Sequence, residues 1–108
     1  MSFNTPGLPG LGDLDALVSR YVDVEGIPWV DLPFPGVQGK ILLTDDTGVR
    51  TALARMAPGS EIPYHEHTGL EQTFMLEGSL EDDDGECSAG QFVWRLDGNR
   101  HTARSPKG

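Results

Sequence analysis

The chain has 108 residues, a formal net charge of −9 and a pI near 4.5; a domain of this size folds alone with a small margin, and its acidity argues against nucleic-acid binding and against docking on anionic membranes. A single cysteine, Cys87, leaves no internal disulfide and no thiolate-rich zinc site. No run approaches the ~18 apolar residues of a membrane span and no basic-then-apolar leader opens the sequence, so the expected setting is cytoplasmic.

Fourteen glycines and eight prolines imply many short elements joined by tight turns. Pro6, Pro9, Gly7, Gly10 and Gly12 make Met1 to Gly12 an extended arm. Asp13 suits the cap of a short helical turn in which Leu14, Leu17, Val18 and Tyr21 share a face, while Tyr21-Val22-Asp23-Val24 alternates as an edge strand would. Residues 1–20 therefore read as an N-terminal arm and 21–108 as one domain. From Ile27 the pattern is β: Ile27 to Leu32, Val37 to Leu43, Val49 to Met56, Glu61 to Glu66, Leu70 to Leu76, Gln91 to Leu96 and His101 to Ser105 are strands. Turns fall at Pro33-Phe34-Pro35-Gly36, Asp45 to Gly48, Pro58-Gly59, Glu81 to Gly85 and Asp97-Gly98-Asn99. Seven or eight short strands with no long helix predict an all-β, antiparallel barrel or sandwich.

The three histidines of the chain, His65, His67 and His101, join Glu71 as the candidate metal ligands. In His65-Glu66-His67 the period-2 geometry of a strand sends both rings to one side. Glu71 follows after a Thr68-Gly69 break and can return its carboxylate toward the same point, as a ligand or as a hydrogen-bond partner of a ligand imidazole. Imidazole nitrogens with one carboxylate oxygen are what a borderline divalent transition metal prefers.

Gly59, five residues, His65, one residue, His67, three residues, Glu71, six residues, Gly78 resembles the first cupin motif at every specified position. Gly90, five residues, Leu96, one residue, Gly98, two residues, His101 resembles the second, with Leu96 where proline is usual and Ser105 where asparagine often stands. Ile27-Pro28-Trp29-Val30, Phe34-Pro35-Gly36-Val37 and Lys40-Ile41-Leu42 extend the likeness to the ChrR-like cupins, a group that includes the sensor half of an anti-sigma factor and acetylacetone-cleaving dioxygenases. The resemblance implies one small antiparallel jelly-roll barrel over residues 21–108. It also implies a single divalent metal on His65, His67, Glu71 and His101, with iron(II) favoured over zinc, manganese, nickel or copper. Gly59, Gly78, Gly90 and Gly98 suit positive φ or tight corners between its strands.

The resemblance implies two functions. The first is a mononuclear iron(II) dioxygenase, an oxidoreductase that cleaves a carbon–carbon bond of a small diketone or hydroxyketone bound to the metal as an enolate. Its partners would be that small molecule and dioxygen. The second is a zinc- or ligand-binding sensor cupin of the anti-sigma-factor type without catalysis; Met1 to Gly12 holds no histidine or cysteine for the additional zinc domain of that arrangement. Thr73 and Met75 share parity with Glu71, Arg55 lies on the strand before Pro58-Gly59, and Phe92, Trp94 and Arg95 precede His101; Arg55, Thr73, Met75, Phe92 and Trp94 are the candidate substrate pocket. Glu66 reads as a solvated residue, the Glu81 to Asp84 run as a solvated hairpin tip, and Cys87 as a small buried residue. The sequence ends seven residues after His101. This predicts an open edge beside the last strand, filled by the arm or by strand exchange in a homodimer.

Overall fold

The computed structural model describes residues 3–108, so Met1 and Ser2 of the expected arm lie outside the described residues. The contacts group into two compact units. One runs to Asp31 and takes in Gln38–Ala54; the other comprises Leu32–Val37 and Arg55–Gly108.

β1 (Val30–Asp31) pairs antiparallel with β2 (Val37–Thr44), which neighbours β3 (Arg50–Met56); the first unit holds β1, β2 from Gln38 and β3 as far as Ala54. The arm is tied to β2: Asn4 and Thr44 exchange backbone hydrogen bonds of 2.8 and 2.9 Å, and the Thr5 hydroxyl donates to the Leu42 carbonyl. No helix forms after Asp13. Single 3-10 turns occupy Leu11–Asp13 and Val24–Gly26, and Leu14, Leu17, Val18 and Tyr21 are exposed. The Arg20 guanidinium donates to the carbonyls of Leu11, Leu14, Asp15, Ala16 and Val18, while those of Leu11 and Asp15 also accept single-turn bonds from the amides of Leu14 and Val18. Ile27 is the fully buried apolar residue here, and Lys40 is buried with its ammonium on the Val24 carbonyl and over the Trp29 ring.

The second unit contains β4 (Ser60–Glu66), β5 (Glu71–Phe74), β6 (Ser79–Asp82), β7 (Gly85–Ser88), β8 (Phe92–Arg95) and β9 (Arg100–Ser105). Four of them form a sheet in the order β4-β9-β6-β7, while β5 and β8 form a separate two-stranded ribbon. The β6–β7 hairpin replaces the bare tip expected at Glu81 to Gly85. Acidic residues are poor strand formers, but Glu81 lies opposite Arg104 of β9 and accepts from it at 3.4 Å, a favourable cross-strand pair.

Every strand pairing with a register among the described residues is antiparallel, so the chain is all-β, but the expected closed jelly-roll barrel is not what forms. A barrel needs each strand hydrogen-bonded along both edges. Here the strands fall into three separate sheets, and β4, β7, β5 and β8 each have one neighbouring strand. The last strand is not an open edge either, because β9 sits between β4 and β6.

The interior of the second unit is thin and mixed. Val37, Cys87 and Ala103 are its buried apolar residues, alongside buried Ser60, Arg95, His101 and Ser105. Burial of polar groups requires partners; the Ser60 hydroxyl donates to the Ala57 carbonyl and that of Ser105 to the Ser79 carbonyl.

Candidate metal centre

A β-bulge builds the site. Along β4–β9 the partners run Ser60 with Ser105, Glu61 with Arg104 and Ile62 with Ala103, then jump to His65 with His101. Three steps on β4 match two on β9, so one extra residue is inserted next to Pro63, which has no amide hydrogen for the ladder. The insertion reverses the facing of β4: Ser60 and Ile62 are inward before it, His65 and His67 after it, and Tyr64 and Glu66 are exposed. His65 and His101 become directly opposed. His67 lies one residue past β4 and is held by its own amide on the Asn99 carbonyl and by the Gly98 amide on its carbonyl. Gly98 has φ +90°, a left-handed conformation that favours glycine in the turn leading into β9.

The three rings meet with centroids 4.6 to 4.8 Å apart. Their Nε2 atoms converge: His67 to His101 is 2.8 Å and His101 to His65 is 3.1 Å. The opposite nitrogens decide the tautomers. Nδ1 of His65 lies 2.8 Å from the Pro63 carbonyl, that of His67 is 2.9 Å from a Glu71 oxygen, and that of His101 is 3.1 Å from an Asp82 oxygen. A carbonyl and two carboxylates only accept, so each Nδ1 carries a hydrogen, and in its neutral form each ring turns the Nε2 lone pair inward. Three lone pairs at this separation repel unless a cation lies among them. Nitrogens about 2.1 Å from one ion would be ~3.0 to 3.4 Å apart for right-angle to tetrahedral arrangements, close to the 2.8 and 3.1 Å that separate His101 from His67 and His65. The cluster is able to coordinate a divalent metal.

Burial is the largest influence on His67, lowering its pKa; Glu71 opposes this, while His101, His65 and Arg95 add to it, and the ring is held below the ordinary imidazole value. Asp82 responds differently. Burial, again the largest single influence, raises its pKa, but hydrogen bonds from Arg95, His101 and the Asp84 amide, with the charge of Arg95, outweigh it and hold the carboxyl well below the usual carboxylate range. Asp82 is therefore an anion inside the site. The solvated tip expected at Glu81 to Asp84 is corrected at this residue: Asp82 has a 7% exposed side chain, with Oδ1 accepting from the amides of Asp84 and Gly85 and Oδ2 from Arg95 and His101. Its only sequence signal was its place three residues before the turn glycine Gly85, at the start of a turn where aspartate is common.

Glu71 reaches the cluster from behind. One oxygen accepts from Nδ1 of His67, on the ring edge away from the convergent nitrogens, and the other accepts from Arg95 at 2.9 Å. Arg95 lies opposite Glu71 on the β5–β8 ribbon and is 9% exposed. Thr73 is on the same half-buried face as Glu71, and Met75, just past β5, is also half-buried. Phe92 and Trp94 occupy the opposite face, more than half exposed, and with Leu80, Val93 and Arg95 line a cleft of about 830 Å³. Arg55 is exposed on β3. Glu66 pairs with Arg100 on the surface at 2.9 Å, and Cys87 is buried and free.

With this geometry in place, the comparisons agree on the family. Residues 18–108 match the ChrR Cupin-like domain, and the chain belongs to that family. It is similar to a chain in the crystal structure of Rhodobacter sphaeroides SigE in complex with the anti-sigma ChrR, with 30% identity and a TM-score of 0.66. The match covers 79% of this chain and 45% of that one, so this chain spans less than half the length of that relative. No curated protein matches.

These findings overturn the enzyme reading. The similar solved protein is an anti-sigma factor held by a sigma factor, not a dioxygenase, so the iron, dioxygenase and oxidoreductase expectations are corrected. Three converging imidazoles can hold a metal but do not specify a reaction. The expected partners are corrected too. In place of a small-molecule substrate, dioxygen and a second copy of the chain, the partner in that structure is a protein. The enclosed position of β9 also removes the open edge that suggested strand exchange. Among the described residues no helix is long and apolar enough to cross a membrane.

Proposed function

We propose that this chain is a sensor domain of the anti-sigma type, holding one zinc ion on His65, His67 and His101 and acting through a protein partner without turnover. Glu71 orients His67 from behind in this reading. The observation that carries it is the convergence of three Nε2 lone pairs, each fixed by an acceptor on the opposite nitrogen. The partner is drawn from the similar protein, whose structure is a complex with a sigma factor. Zinc suits the role because it has no redox chemistry of its own and accepts imidazole readily.

Elemental analysis of untagged protein, purified without nickel resin, tests the metal. Near one zinc per chain is expected, and His65→Ala and His101→Ala should each lower affinity by more than the ~10–100-fold that loss of an outer partner costs. A wild-type chain that retains no metal and takes none up ends the reading. For the partner, sigma factors of the same genome are titrated with metal-loaded and metal-free chain; binding that depends on the metal is expected, and no binding by either form defeats the anti-sigma assignment.

A further inference from the structure

We propose that Arg95, acting with Asp82, is a positioning residue of the metal centre: one guanidinium clamps the two carboxylates that hold His67 and His101. This rests on the metal-binding reading above. Arg95 Nη1 donates to Glu71 at 2.9 Å, and Glu71 accepts from Nδ1 of His67 at 2.9 Å. Arg95 Nη2 donates to Asp82 at 2.7 Å, and the same Asp82 oxygen accepts from Nδ1 of His101 at 3.1 Å. With 2.8 Å between the Nε2 atoms of His67 and His101, the five side chains form a closed ring through the site. Neither imidazole can turn without moving a carboxylate, and neither carboxylate can move without displacing the guanidinium.

The ring also joins separate elements. Glu71 opens β5, Asp82 ends β6, Arg95 ends β8 and His101 lies in β9, so Arg95 ties the two-stranded ribbon to the four-stranded sheet. Asp82 is anchored in turn by the amides of Asp84 and Gly85. His65 stands outside this arrangement, since its Nδ1 is held by the Pro63 carbonyl two residues away. Loss of the clamp should therefore loosen two ligands of three.

Arginine is needed for its geometry. A planar fork serves two carboxylates with two parallel donors, whereas the lysine ammonium is a point charge on a flexible stem. Without the fork, two carboxylates face each other behind the imidazoles with no shared counter-ion, and either is free to swing toward the metal.

The test uses the full chain. Zinc affinity is measured by competition with a chromophoric chelator, and cobalt(II) is used as a spectroscopic stand-in whose absorption bands report ligand geometry. Arg95→Lys and Asp82→Asn are each expected to bind zinc about 10–100-fold more weakly and to give altered cobalt(II) bands. Arg100→Ala, which removes an exposed ion pair with Glu66, is expected to match wild type in both. A purely structural ion pair would lower the melting temperature of Arg95→Lys and leave its cobalt(II) bands and zinc affinity in place; that result overturns the proposal. If Asp82→Asn does not fold without metal, Arg95→Lys, which keeps the charge, decides alone. Wild type that binds neither metal defeats the metal reading and the clamp together; wild-type binding with an indifferent Arg95→Lys defeats the clamp only.

Discussion

Imidazoles coordinate a metal only as neutral rings, so protons would compete with a metal held by His65, His67 and His101. The sign for His67 follows from its environment. Its folded value lies below 6.5, so beneath that pH the unfolded chain binds a proton that the folded chain resists. Its contribution to stability is complete above about pH 6.5 and is lost as the pH falls through the folded value. Asp82 behaves alike in a more acidic window: its contribution is complete above the ordinary 3.8 and lost as the pH falls below that toward its folded value. Urea denaturation of the metal-free chain should therefore give a lower midpoint at pH 5.5 than at pH 7.5, and zinc affinity should fall over the same interval. Equal midpoints and equal affinities at the two values would contradict the burial assigned to His67. The histidines and Glu71 were legible as a cluster from spacing alone. Asp82 and Arg95 were not joined to them, because their link is a hydrogen-bond chain between strands distant in sequence.

At the scale of elements the bulge beside Pro63 matters most. Alternation places His65 and His67 on one face of a strand but does not say which face. Continuing the parity of buried Ser60 would have turned Tyr64 and Glu66 inward instead. Deletion of Pro63 removes the extra residue, and unbroken alternation from Ser60 then turns Tyr64 outward and leaves His65 opposite His101, the same facing that the bulge produces. The expected outcome is a β-rich circular dichroism spectrum with zinc binding retained, and a folded deletion variant that binds no zinc would show that the register of β4 is not what aims the rings. Strands rich in β-formers, such as β2 and β3, fall near their expected bounds, Val37–Thr44 and Arg50–Met56. The turn of the β6–β7 hairpin was legible at Glu81 to Gly85, but the strand ends at Glu81 and Asp82 were not, because the pairing of Glu81 with Arg104 is a contact that local propensity cannot register.

For the molecule as a whole, the second unit has few buried apolar residues and several buried polar ones, so its own packing supplies little margin. A metal held by the histidine cluster would then add to folding. A ligand that binds only the folded state contributes about 2.7 kcal/mol when present at a hundred times its Kd. For a domain of this size that is a rise in melting temperature on the order of 10 °C. Thermal melts with one equivalent excess of zinc and with a strong chelator should differ by such an amount, and the difference should vanish in His101→Ala. Coincident melts for wild type in zinc and in chelator would mean that the centre forms no part of the folded unit.

The sequence by itself determined the all-β class, the cupin family and the three histidines, since these depend on residue type at short, fixed gaps. Gly98, and with it Gly59, Gly78 and Gly90, already marked the left-handed corners they occupy. The tertiary structure decided the rest: which way β4 faces, that β9 is enclosed, that the sheets stay separate, and that Arg95 and Asp82 stand behind the rings. Each of these depends on pairing between strands far apart in the chain, and that pairing is set by register and partner, which one strand read alone does not contain.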